Sequence, residues 1–359
     1  VLGVLLIAAI VGGSSARPKP KPIAAATNIS VYGAWHCGSD FCTWSSVRNM
    51  TDFDTRNHWL VDRGDGSPSV NLVVLSFVEP LKLLNKTTDS GTSLGIPTGM
   101  NSAVVNYFKS HGVRVQLSIG GITYVDAWNQ ALATNPTQLG LNAAEAAQRL
   151  GVGMEIDYEE NTNPNLTGLQ AFINAYRSVL PYDASGTNHA ARLTIDLASG
   201  DRWLIALTRK ATADWLNTSV PVLDYANAMV ASKQFNSAAA AQADWQEHVD
   251  GKSQFAPPIL PLAPAKFTGS LYIVTGTRAA PECTSFSSSL TNSTGLYVQT
   301  VAPNGAGTTS GMLGYMFWAA ECPSTRRVCT VPPNSCEGGV GVGADTYNIP
   351  IPMAPLRQS

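Results

Sequence analysis

The chain has 359 residues, a formal net charge of -2 and only 13% charged residues. Globular domains ordinarily carry about 25%. No long basic run is present, which argues against a nucleic-acid partner, and the chain is not acidic enough to resemble a disordered polyanion. The length suits one large domain such as a (β/α)8 barrel, which takes about 250 residues or more with insertions.

Residues 1–11 are almost wholly apolar, and Gly12-Gly13-Ser14-Ser15-Ala16 follows. This is the pattern of a signal-peptide core and its small-residue cleavage site, so 1–16 is expected to be a signal peptide truncated at its start. A membrane span needs about 20 apolar residues, and no membrane association is expected after cleavage. Residues 17–27, with Arg17-Pro18-Lys19-Pro20-Lys21-Pro22, read as an extended linker. Sequons at Asn28, Asn49, Asn85, Asn165, Asn217 and Asn292 point the same way, to a secreted glycoprotein. Cys37, Cys42, Cys283, Cys322, Cys329 and Cys336 show no zinc-binding spacing and fit disulfides, whose connectivity stays open. The nearest pairings are Cys37 with Cys42 and Cys329 with Cys336, leaving Cys283 with Cys322.

The barrel proper is expected over 28–322, with an irregular disulfide-bonded tail over 323–359. Val31 to Trp35 is the first candidate strand, followed by a loop pinned between Cys37 and Cys42, where no helix is clearly signalled. Asn71 to Val78 is a continuous apolar run of strand length, which suits a strand covered on both faces. Glu79-Pro80 ends it, and Asn85 to Pro97 reads as a polar loop. Asn101 to His111 has Val104, Val105 and Phe108 at helical spacing, with Gly112 as the stop. Val113 to Gly121 is a third strand, and helices around Val125–Ala133 and Asn142–Leu150 lead to a fourth.

Asn165 to Leu180 carries Leu169, Phe172, Ile173 and Tyr176 on one helical face. Arg192 to Ala198 alternates like a strand, and Asp201 starts a helix containing Leu204, Ile205 and Leu207. Leu223 to Val230 is a sixth strand, Ser237 to Val249 an Ala-rich helix, Ser270 to Thr275 a seventh strand, and Gly311 to Trp318 an eighth. Strand and helix alternate about eight times, which means a parallel α/β architecture. A doubly wound sheet is the alternative, but no Gly-x-Gly-x-x-Gly follows the first strand. The expected fold is a single (β/α)8 barrel.

The fourth strand carries the chemistry. In Gly151-Val152-Gly153-Met154-Glu155-Ile156-Asp157-Tyr158-Glu159-Glu160 the acids alternate with apolar residues. Successive strand side chains point to opposite faces, so Glu155, Asp157 and Glu159 share one side. A solvated edge strand would also show an acidic face. The flanking Gly-x-Gly-Met and the helix that follows favour a strand inside the fold, with its acids aimed into a site.

This stretch resembles the strand-4 signature of glycoside hydrolase family 18, Asp-x-x-Asp-x-Asp-x-Glu, here Val152-x-x-Glu155-x-Asp157-x-Glu159. The family's Ser-x-Gly-Gly appears as Ser118-Ile119-Gly120-Gly121, and its last-strand Trp as Trp318. The resemblance implies a secreted hydrolase of N-acetylglucosamine-containing glycans such as chitin, with no metal or organic cofactor. It implies Glu159 as general acid, Asp157 as the residue that orients the substrate acetamido group, and Glu155 as a deeper partner sharing a proton or hydrogen bond with Asp157. Substrate contacts would come from Tyr32, Trp35, Phe77, Ser118, Gly120, Gly121, Met229 and Trp318. The family's strand-6 Tyr position holds Ala231, so Tyr225 or another aromatic would have to replace it. Tyr124 and Trp128 are further aromatic candidates. The second reading is a non-catalytic barrel that binds carbohydrate or protein, favoured by Val152, Glu155 and Ala231 where the family pattern has Asp, Asp and Tyr.

Overall fold

The structure is a computed structural model describing residues 29–37, 42, 44–62, 66, 68, 70–216, 218–220, 222–229, 238–272, 297, 298, 300–302 and 311–318. The leader, the linker, the tail, Ala231, the sequons at Asn28, Asn217 and Asn292, and the pairings of Cys283, Cys322, Cys329 and Cys336 fall outside them. Cys37 and Cys42 form a disulfide.

Eight parallel strands close into a barrel. They are β1 (Val31–Cys37), β2 (Leu72–Val78), β3 (Arg114–Gly120), β4 (Gly153–Asp157), β5 (Leu193–Leu197), β6 (Ala226–Ala228), β7 (Phe267–Tyr272) and β8 (Gly314–Trp318). Each pairs with its neighbours in sequence, and β8 pairs back onto β1 from Val31–Gly314 to Ala34–Phe317. Helices α1 (Met50–Val61), α2 (Pro80–Leu84), α3 (Ser102–Ser110), α4 (Val125–Thr134), α5 (Pro136–Leu150), α6 (Leu166–Val179), α7 (Ile205–Lys210) and α8 (Ala238–Asp250) lie between strands. The architecture is the expected (β/α)8 barrel.

Three local features differ from the sequence reading. α1 occupies the first connection, where no helix was signalled. Its start is fixed by Asn49, whose side chain accepts from the N–H groups of Thr51 and Asp52, a cap that satisfies orphan donors of the first turn. Pro80 does not merely end β2 but opens α2, since a first-turn residue needs no N–H. The polar stretch after Asn85 contains a short hairpin, Thr92–Ser93 against Ile96–Pro97.

Strand alternation sorts the side chains into two layers. Val31, Trp35, Leu72, Val74, Tyr225 and Met316 cluster inside the barrel, with Trp318 packed against them. Tyr32, Ala34, Val73, Leu75, Met154, Ile156, Tyr315 and Phe317 face the helices. Tyr32, expected at the substrate, is therefore in the outer layer. It is 1% exposed, with the rings of Tyr315 and Phe317 edge-on at 5.3 Å each. It stands three residues from Trp35, an odd spacing that puts the two on opposite faces.

At the strand starts, buried Asp224 accepts from Arg177 of α6 at 2.8 Å and from Arg192 at 2.9 Å. The Leu193 N–H adds a third bond at 2.7 Å. A buried acid is tolerable only with this degree of pairing, and the clamp ties α6 to the entry of β5 and β6. A cavity of about 20 Å³ lies at this end, lined by Lys109, Arg114, His189 and Arg192 among others. That is room for water and not for a sugar ring.

Candidate active site

Barrel active sites form at the carboxyl ends of the strands, and the acids of β4 are there. Glu155 is fully buried, Asp157 is 4% exposed, and Glu159, just past the strand end, is partly exposed. The Glu155 carboxylate accepts from the Trp35 indole N–H at 2.9 Å and from the Asn227 side-chain amide at 2.7 Å. Asn227 is oriented by Thr268, whose hydroxyl donates to its carbonyl at 2.6 Å. Ser118 lies beside Glu155 in the β3–β4 register. Its hydroxyl is outside good hydrogen-bonding geometry, yet its dipole still favours the ionised form.

Burial pushes the Glu155 carboxyl up, and the contacts with Trp35, Ser118, Asp196 and Asn227 hold it back. Asp157 is pushed well above the usual carboxylate range, first by burial and then by the charges of Glu159 and Glu155. Its Oδ1 is buried with no hydrogen-bond partner. Glu159 is raised to about 7 by burial, with the Ile122 N–H opposing. A carboxyl that keeps its proton to near neutrality can act as a general acid.

The sequence reading missed Asp196 and Asn227. Asp196 lies on β5, one residue beyond the Ile156–Ile195 pair, and so flanks Asp157 on the adjacent strand. It is 2% exposed and raised well above its ordinary range by burial and by the charges of Glu155 and Asp157. The available signal was a lone acid at the inward parity of an otherwise apolar strand. Glu155 was expected to share a proton or hydrogen bond with Asp157. The side-chain contacts of Glu155 are Trp35, Asn227, Ser118 and Asp196, and its charge also acts on Asp157.

The aromatic wall joins three strands. The Phe77 ring stacks on Trp318 at 5.7 Å, and Trp35 lies 6.4 Å from Trp318. Met229 is half-buried just past β6 and is held by its N–H to the Leu197 carbonyl. Gly120 and Gly121, named as substrate contacts, stand where the chain packs closely. A Cβ on Gly120, at φ +122°, would come within 1.9 Å of the Asp157 carbonyl oxygen. One on Gly121, at φ +89°, would press on the Phe77 ring at 3.0 Å. Trp128 is fully buried and donates to the carbonyls of Ile119 and Asp157. It supports β4 from behind. Tyr225 belongs to a lower layer, where its hydroxyl donates to Gln116 at 3.3 Å, so it does not replace the aromatic missing at Ala231.

A chitinase of glycoside hydrolase family 18 from Pseudoalteromonas aurantia superposes with a TM-score of 0.52 at 12% identity, covering 80% of this chain and 93% of that one. The fold is that of the family 18 chitinases. A chitinase from Aspergillus fumigatus matches with a TM-score of 0.47 at 12% identity, covering 83% of this chain and 95% of its own. A xylanase and alpha-amylase inhibitor protein from Scadoxus multiflorus matches at 0.42 and 12%, over 80% and 92%. No family model matches the chain, and no curated protein sequence does. Identity this low speaks for the fold alone.

Proposed function

We propose that this protein is a secreted glycosidase that hydrolyses β-1,4-linked N-acetylglucosamine, in chitin, chito-oligosaccharides or the core of N-glycans. The observation that carries the reading is Glu159, a carboxyl raised to about 7 by burial, close enough for its charge to act on buried Asp157, whose Oδ1 has no partner. Glu159 donates its proton to the glycosidic oxygen as the bond to the anomeric carbon breaks. The substrate's own acetamido oxygen attacks that carbon, while Asp157 accepts the acetamido N–H. Water then opens the cyclic intermediate, returning a proton to Glu159 and retaining configuration. This is the substrate-assisted exception among glycosidases. Trp318, Phe77 and Trp35 form the apolar surface against which the sugar ring packs. Secretion rests on the apolar leader and the sequons of the sequence.

The test is release of reducing ends from chito-oligosaccharides by wild type and E159Q. Gln keeps the shape but has no acidic proton, so turnover is expected to fall about 100- to 10,000-fold with binding retained. Unchanged turnover in E159Q refutes the assignment. Binding without turnover in the wild type gives the non-catalytic reading instead, a carbohydrate-binding barrel.

A further inference from the structure

The inner face of β4 and β5 buries three carboxyls in one layer: Glu155, Asp157 and Asp196. The groups that face Asp196 are Glu155 and Asp157 from β4 and Asn227 from β6. Among the described residues no cation joins them. Carboxylates this close and this dry cannot all be ionised, so at least one proton is held within the layer.

The hydrogen-bond donors decide where the negative charge sits. Glu155 receives Trp35 Nε1–H on one oxygen and Asn227 Nδ2–H on the other. The second donor cannot turn away, because Thr268 donates to the opposite end of the same amide. A carboxyl approached only by donors is held as the anion. Asp196 and Asp157 each have a buried Oδ1 without a partner, and Asp196 takes only the opposing contact of Asn227, which also serves Glu155. The contact between Asp196 and Glu155 holds the Glu155 carboxyl down and pushes the Asp196 carboxyl up, the directions expected when the shared proton sits on Asp196.

We propose that Asp196 is a positioning residue: it carries the proton that joins it to Glu155, and so leaves Asp157 unengaged below and turned to Glu159 and the substrate. The inference rests on the glycosidase reading for its catalytic consequence, but not for the protonation itself. In the absence of Asp196 the carboxyl among the described residues able to share a proton with Glu155 is Asp157, and Asp157 engaged there is withdrawn from the acetamido group. The role is local to this chain's β5 and follows from the inward parity of a single acid beside β4.

Two measurements test it. The first is infrared spectroscopy of the intact protein at about pH 8, above the Glu159 value near 7. Ordinary carboxyls are ionised there, so a protonated-carboxyl C=O band marks a buried acid. Wild type is expected to show the band, D157N to keep it unchanged, and D196N to lose it or to shift it to the frequency of a proton moved onto Asp157. A band lost in D157N, or one unchanged in D196N, overturns the assignment.

The second measurement is kinetic. D196A is expected to lower kcat about 10- to 100-fold with little change in KM, the scale of a misplaced catalytic group. In D196N the amide still donates to Glu155, and it is expected to recover most of that loss. Equal activity in wild type and D196A overturns the positioning role, as does an equal loss in D196A and D196N. Should the wild type lack turnover, the glycosidase reading falls, and the proton assignment is decided by the infrared result alone.

Discussion

Acidification should cost this fold stability through one histidine, and the amount follows from its surroundings. His36 lies on the outer face of β1, 3% exposed, with the rings of Trp44, Phe53 and Phe108 at 5.3, 5.9 and 6.2 Å. Its Nε2 meets Asn57 Oδ1 at 2.6 Å, and its Nδ1 is buried with no partner. The neutral ring fits this cage, whereas a second N–H would meet no side-chain acceptor among the described residues. Burial therefore lowers the imidazole to about 4 from 6.5, against the opposing bond to Asn57. Because the folded value lies below the unfolded one, the stability is fully present above pH 6.5 and is lost as pH falls toward 4. At 1.36 kcal/mol per unit, the loss reaches about 2 kcal/mol at pH 5 and about 3 kcal/mol at pH 4. Urea unfolding of wild type and His36→Gln between pH 7 and 4 isolates it, since the other titrating groups cancel in the difference. The wild-type advantage should shrink by about 3 kcal/mol over that range. A difference constant to within about 0.5 kcal/mol would falsify the account. The site shares the consequence, because His36 is the chain neighbour of Trp35 and charging it strains the strand that supplies a donor to Glu155.

The alkaline side belongs to Glu159. Its raised value predicts that kcat/KM is halved near pH 7 and falls about tenfold per unit above it; a limb flat to pH 9 would remove Glu159 as the proton donor. Trp35→Phe keeps an aromatic ring but deletes the N–H at 2.9 Å from Glu155. It should cost about 1.5–3 kcal/mol in denaturant unfolding, the range for a bond to an ionised group, and a change under about 0.5 kcal/mol would mean that Glu155 is not held as an anion. Among the described sequons, Asn85 is exposed at the end of α2, while Asn165 is half-buried and caps α6 through Gly168 N–H at 2.9 Å. Peptide mapping after expression in a secretory host should find glycan at Asn85 with lower occupancy at Asn165, and the reverse order would contradict this placement.

Much of the barrel is legible in the sequence because the strands are apolar or alternating segments of strand length, bounded by turn residues. The β4 acids are legible because strand parity needs only local spacing. The same parity separates Tyr32 from Trp35, so two aromatics near one strand end do not share a face. α1 escaped because its helical signal is a single capping Asn49 ahead of a largely polar segment, with little apolar periodicity to find. Asp196 and Asn227 required inter-strand register, which sequence parity alone does not supply. Gly120 reads as a simple turn residue until the Asp157 carbonyl and the Trp128 indole are seen to fill the space a side chain would need.

Closure of the ring through β1 and β8 also sets a timetable for synthesis. β1 is among the first strands made, yet the partner for one of its edges emerges about 280 residues later. At roughly 5–20 residues per second that is about 15 to 60 s in which the growing chain carries an unpaired edge and an uncovered apolar interior. Trp318 arrives with that closing strand, so no truncated nascent chain holds a finished sugar platform. On the proposed function, glycan binding therefore waits for the last strand, and the unpaired edge of β1 is open to wrong pairing for the whole of that interval rather than only at its end.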